Sequence, residues 1–216
     1  MWKWLIILSL YSGVVMSDTY RKKLGEQLAI ENKIDTTAVS AHAYTKIHNN
    51  YRVMDCGASM GDGYGPILVS KKVFDSEKGL KIAIPGKLTS AFLLLQLYSK
   101  DAIFVEYDFD QVVPAILNSE VDAGLIIHEG QITYKDLGLN LLLDLPKLWA
   151  QECPYPIPLG LNVIKRSLDE DAQIEISKMI KQSIVYSLSN IEEAVSYTHL
   201  RAHETSLHLV CRLLLE

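Results

Sequence analysis

The residue that most plainly offers chemistry is His128, which closes the apolar run of VDAGLIIHEGQITY over Val121–Tyr134. A continuous apolar run bounded by polar residues and glycine fits a short strand covered on both faces, so Gly124–Ile127 is expected to be buried with His128 at its carboxyl end. In open α/β sheets that edge is where ligands bind, because its loops are exposed while the strands hold them rigidly. An imidazole placed there titrates near neutral pH and can move a proton. It can equally be a polar strand terminus bonded to backbone, and the stretch alone leaves both readings open. Glu129, beside it, is a second acid, read more plainly as a solvated strand end.

Hydroxyl groups come next. Ser40 follows a short strand at Thr37–Val39 and opens the helical SAHAYTKI, while Thr89 and Ser90 follow the strand KIAIP at Lys81–Pro85 and open AFLLLQLYSK. A hydroxyl beside the unpaired backbone amides of a helix start can take an anion, and a carboxylate would suit both places. Plain N-capping is the commoner task of such residues. His42 and His48 read as surface positions. The spaced glycines Gly61, Gly63 and Gly65 invite a nucleotide-loop reading, but they lead into a strand at Ile67–Val69, whereas the dinucleotide fingerprint follows a strand and opens a helix. They are read as a bend.

Composition narrows the classes. With 216 residues, 49% hydrophobic, 22% charged and a net charge of −5, the chain has ample core for one large domain or two lobes. Mild acidity without a basic block argues against nucleic acid, whose phosphates need clustered Lys and Arg. Cys56, Cys153 and Cys211 share no metal-ligand spacing and suggest neither a disulfide framework nor a zinc site, which fits a reducing, cytoplasmic setting. No metal and no cofactor are expected. Met1–Ser17 resembles a signal-peptide core, yet no small-x-small site follows it and it is shorter than the roughly 20 apolar residues that span a bilayer. A buried first strand in Leu5–Leu10 is expected instead, with no membrane as partner.

The positioning elements follow from periodicity. Arg21–Asn32 is helical with Leu24 and Leu28 on one face, and Ala102–Glu106 is a third short strand before a helix capped by Asp108 and striped by Val112, Val113, Ile116 and Leu117. Strand and helix alternating in this way predict a parallel sheet with right-handed crossovers. Pro154, Pro156 and Pro158 predict an extended crossing segment between lobes, since proline fixes φ and favours extended geometry before it. Leu168–Leu188 is a long helix. The tail Ser196–Glu216 holds His199, His203 and His208, yet it resembles the translated read-through of a sequencing adapter, and the native sequence is expected to be cut near Val195 with its true carboxyl-terminal part missing.

Five segments in order, SAHAY from Ser40, GDGYGPILVSK from Gly61, IPGKLTSA from Ile84, EVDAGLIIHEGQITY from Glu120 and IPLGLNVIKRSL from Ile157, resemble the 1,4-dihydroxy-6-naphthoate synthase family of the futalosine route to menaquinone. The resemblance covers roughly Leu28–Ala194. It implies an α/β, two-lobed fold like that of type II periplasmic binding proteins, incomplete at both ends, with lobe 1 in residues 1–79 and 160–195 and lobe 2 in residues 80–159. It also implies a lyase acting on cyclic dehypoxanthinyl futalosine in the cleft between lobes. By the same resemblance His128 is the catalytic general base, and Ser40, Thr89, Ser90 and Ala91 bind the substrate. Ser90 stands where the family has threonine, Leu161 where it has the second glycine of PLGGN, and the family's opening YSPCPNDTF is not legible. The expected partner is a small-molecule carboxylate, with a homodimer left open. The rival readings are chorismate dehydratase of the same pathway and a non-catalytic solute-binding protein for a carboxylate.

Overall fold

The computed structural model describes residues 18–127 and 130–190. The expected strand at Leu5–Leu10, His128, Glu129 and the tail from Ser196 lie outside the described residues. Two sheets organise the rest. The smaller has β9 (Ile157–Lys165) between β1 (Thr36–Ser40) and β2 (Tyr51–Val53), with β3 (Ser59–Gly61) also paired to β9, all antiparallel. The larger runs β6 (Ile103–Glu106), β5 (Lys81–Ile84), β7 (Ala123–Ile126), β4 (Ile67–Ser70) and β8 (Asn140–Asp144). The molecule has the two-lobed architecture of periplasmic binding proteins.

The expected parallel sheet holds for β5, β6 and β7, which are joined in parallel register through Ala83↔Val105 and Ala83↔Gly124. It does not hold for β4, which runs antiparallel to β7 and β8. No crossover helix precedes β4, so nothing obliges it to run parallel. Because β4 belongs to the larger sheet, sheet membership divides the chain between Gly61 and Ile67, earlier than the expected boundary at 79/80.

Burial on both faces explains the apolar runs. Leu68, Ile82, Ile84 and Leu125 face one cluster with Ala91, Leu94 and Leu95 of α3 (Ser90–Tyr98) and Leu145 of α6 (Leu145–Glu152). Their neighbours Ile67, Val69, Ala83 and Ile126 face the opposite cluster with Val112, Ala115 and Ile116 of α4 (Val112–Leu117). Each strand therefore alternates between two cores and not between core and water, which is why no polar alternation marks it. The short helix α5 (Gly130–Thr133) leads toward β8. Asp108 stands at the N-cap of a 3-10 turn, Phe109–Gln111, ahead of α4 and makes no side-chain capping bond there.

The proline-stiffened passage differs from the expected crossing segment. Cys153–Pro156 connects, but Ile157 begins a nine-residue strand despite Pro158, which pairs with Met60 next to a register shift in β3. An irregular place in the ladder is where a missing N–H is tolerated. This strand is shared between the lobes: Ile157 and Leu159 pack in the core of the larger sheet, whereas Val163 and Leu161 pack with Ala29, Ala43 and Ile47 against the smaller one. Ala29 belongs to α1 (Asp18–Ile30), and Ala43 and Ile47 to α2 (Ala41–Ile47). The described residues close with α7 (Glu170–Ser189), capped by Asp169 Oδ1 on the Ala172 amide at 2.8 Å, with Cys56 Sγ donating to Ser177 O at 3.7 Å. Among the described residues no helix is long and apolar enough to cross a membrane.

At Gly124 β7 lies directly under α4. A Cβ there would lie 2.6 Å from Ile116 Cδ1 and 2.8 Å from Val112 Cγ1, both in a closed core. Gly124→Ala should therefore destabilise the fold by about 1–3 kcal/mol through overpacking, read as a lower midpoint in chemical denaturation at unchanged slope.

Candidate functional site between the lobes

The Ser40 turn and the Thr89–Ser90 turn meet. Ser40 has extended backbone, with φ −65° and ψ 152°, and caps α2 by accepting from the Ala43 amide at 2.9 Å. The same hydroxyl donates to Leu88 O at 2.5 Å, across to the other lobe. Thr89 caps α3, accepting from the Phe92 amide at 3.2 Å and donating to Gly86 O at 2.8 Å. Ser90 is buried. Its Oγ accepts from the Ala41 amide at 2.9 Å and donates to Leu159 O at 2.7 Å. Ala91 is buried behind it, at 4% exposure, in the core of the larger sheet.

Four of the five expected site residues thus converge. Ser40 lies opposite Gly160 in the β1–β9 register, and Ser90 is bonded to the residue before Gly160, so β9 is the common wall. Each of the three hydroxyls already has protein partners, and capping is part of what Ser40 and Thr89 do. The amides nearest each helix start have no intrahelical acceptor, because helical pairing begins only with the fifth residue. Three of them, the amides of Ala41, Ala43 and Phe92, donate to the hydroxyls of Ser90, Ser40 and Thr89. The fifth residue, His128, lies outside the described residues. It follows Ile127 beyond β7, whose carboxyl end points the same way as that of its parallel neighbour β5, from which the Gly86–Ser90 turn departs.

Carboxylates from elsewhere hold both turns. Glu26 Oε1 accepts from the Ser40 amide at 2.7 Å, and Glu106 Oε1, at the end of β6, accepts from the Lys87 amide at 2.7 Å. Sequence reasoning missed both, since their partners are distant in the chain. His42, expected at the surface, is half-buried, with its Nδ1 buried and without a hydrogen bond in the described residues, whereas His48 is exposed as expected and reaches Thr45 O at 3.0 Å. Leu161, in place of a glycine, pairs with Val39 and packs its side chain against the core of the smaller sheet. Burial pushes the Cys56 thiol above its ordinary range, opposing a thiolate nucleophile there. No group of three or more His, Cys, Asp or Glu that could hold a metal occurs among the described residues.

Removing the Ser90 hydroxyl would leave the Ala41 N–H and the Leu159 C=O without their partner at a buried junction. Ser90→Ala should cost about 1–3 kcal/mol of unfolding free energy, measured by denaturant titration.

The family described as "Menaquinone biosynthesis" matches residues 25–211, which includes part of the tail expected to be foreign. The chain is 34% identical over 178 residues to the 1,4-dihydroxy-6-naphtoate synthase of Thermus thermophilus, with 82% of the chain and 65% of that protein covered. It therefore spans just under two thirds of that relative's length. Among solved structures, protein AF1704 of Archaeoglobus fulgidus aligns with a TM-score of 0.80 at 43% identity, covering 86% of this chain and 69% of that one. A binding-protein component of an ABC phosphonate transporter from Pseudomonas aeruginosa aligns with a TM-score of 0.52 at 15% identity, covering 73% and 59%, a likeness of fold alone. On the family match over most of its length, the chain belongs to the menaquinone biosynthesis family.

Proposed function

We propose that the chain carries the substrate-binding and proton-abstracting parts of a carbon–carbon lyase, 1,4-dihydroxy-6-naphthoate synthase, acting on cyclic dehypoxanthinyl futalosine in the cytoplasm. The observation that carries the reading is the meeting of two helix starts, at Ser40 and at Thr89–Ser90, against one shared strand. Kinship to a naphthoate synthase supplies the reaction class.

In this reading the substrate carboxylate lies between the two turns. The amides of Ser90 and Ala91, which helical pairing leaves over at the start of α3, hold it, with the positive end of the α3 dipole directed at it and the Ser40 turn packed alongside. A bound carboxylate accepts hydrogen bonds only, so it is gripped by leftover amides and not by the hydroxyl protons of Ser40 and Thr89, which already go to Leu88 O and Gly86 O. Once the acid is fixed, the rest of the substrate is oriented relative to the loop after β7. There His128, as general base, removes a proton, the ribose-derived portion leaves with the electron pair, and the ring system becomes aromatic. Orientation comes from the turns, and the proton acceptor from the imidazole. A homodimer is compatible with this arrangement and is not required by it, since both turns come from one chain.

The test is turnover by the full chain. Supplied with cyclic dehypoxanthinyl futalosine, it should release 1,4-dihydroxy-6-naphthoate, and His128→Asn should reduce the rate about 10²- to 10⁴-fold. Undiminished turnover by that variant would remove His128 from the mechanism. Turnover of chorismate instead would assign the chain to the dehydratase reading, and tight binding of the naphthoate without turnover to the solute-binding one.

A further inference from the structure

We propose that Glu26 is a positioning residue for the turn at Ser40, fixing from a separate helix the geometry with which that turn braces the Leu88–Ser90 turn where a carboxylate is held. This rests on the reading of the turn as a carboxylate site. In an ordinary capping box the third residue of the helix is Glu or Gln, whose side chain returns to the N–H of the capping residue. The third residue of α2 is Ala43, which has only a methyl group to offer. The Ser40 N–H is nevertheless satisfied, by Glu26 Oε1 at 2.7 Å, from the middle of α1 and fourteen positions earlier in the chain.

The reach depends on the residue before it. A Cβ on Gly25 would fall 2.5 Å from Thr37 Oγ1, so a side chain there would force the Thr37 hydroxyl to turn away, and glycine lets α1 lie this close to β1 without that shift. That closeness brings the next side chain to the end of the strand. On the other side of the strand Ser40 is paired with Gly160, so the residue is held by β9 and by α1 at once. With its backbone pinned, its hydroxyl is aimed at Leu88 O and the Ala43 amide and cannot swing away. A charge-assisted N–H to carboxylate bond is about twice as strong as a neutral one, enough to hold a turn that the sequence of α2 does not secure by itself.

An anion is an odd neighbour for an anion site. Glu26 therefore acts through its acceptor geometry and against its charge, which separates positioning from electrostatics. Glutamine keeps the acceptor and drops the charge; aspartate keeps the charge and is one methylene too short; alanine loses both.

The experiment uses the full chain and its E26Q, E26D and E26A variants, with 1,4-dihydroxy-6-naphthoate as the calorimetric probe and amide hydrogen exchange at Ser40 and Ala43 as a ligand-free readout. E26A and E26D should bind the probe about tenfold more weakly and exchange the Ser40 amide about tenfold faster, the scale of one lost charge-assisted bond. E26Q should restore slow exchange and bind as tightly as the wild type or more so. Wild-type behaviour of E26A and E26D, or E26Q as defective as E26A, overturns the proposal. If E26A does not fold, E26D and E26Q decide by the same criteria. A wild-type chain that ignores the probe would overturn the carboxylate reading of the turn, while the exchange rates still decide whether Glu26 holds it.

Discussion

One oxygen atom joins three parts of the molecule. Ser90 Oγ accepts from the first amide of α2 and donates to the carbonyl of Leu159, while itself being the first residue of α3. Two helix starts from different lobes and the strand they share are thereby held at hydrogen-bonding distance. Nearby the Ser40 hydroxyl reaches Leu88 O. Each such bond contributes only about 0.5–1.5 kcal/mol net, but at a buried junction the alternative is unpaired donors and acceptors, which cost more. The angle between the lobes is fixed more by avoiding that cost than by the gain of the bonds.

The same economy sets the terms for a ligand. A hydroxyl that caps a helix and donates to a carbonyl has a lone pair left but no free proton. An incoming acid, which only accepts, must then look to the amide groups that helical pairing leaves over, or displace a bond already made. The turns at Ser40 and Thr89 are stable without ligand because their side chains are occupied; the first amide of α2 is occupied as well, so the receptive amides are those left over at the start of α3. Glu26 and Glu106 belong to this arrangement: both hold backbone next to the turns without using the helix amides themselves.

Much of this was legible in the amino-acid order because its causes are local. Apolar runs in Ile82–Ile84 and Ala123–Ile126 follow from packing on both faces, and the helix starts at Ser40 and Thr89 follow from a hydroxyl ahead of helix formers. What was not legible is non-local. The direction of β4 depends on which strands flank it, and the long strand β9 was hidden by prolines that its irregular pairing tolerates. The contact of Glu26 with Ser40 joins side chain to backbone across fourteen positions, with no sequence spacing to announce it. His128, the residue that sequence singled out first, stays a matter for enzymology, since it lies outside the described residues.

β9 also constrains how such a molecule can be dissected. Its first residues complete the packing of one lobe and its later residues the hydrogen-bonded ladder of the other. A gene cut between α6 and β9 would therefore strip one lobe of Ile157 and Leu159 and the other of its central strand, whereas a cut after β9 would part only α7 from them. Neither lobe is autonomous, and a tandem-fusion or split-reporter design would have to keep this strand attached to both.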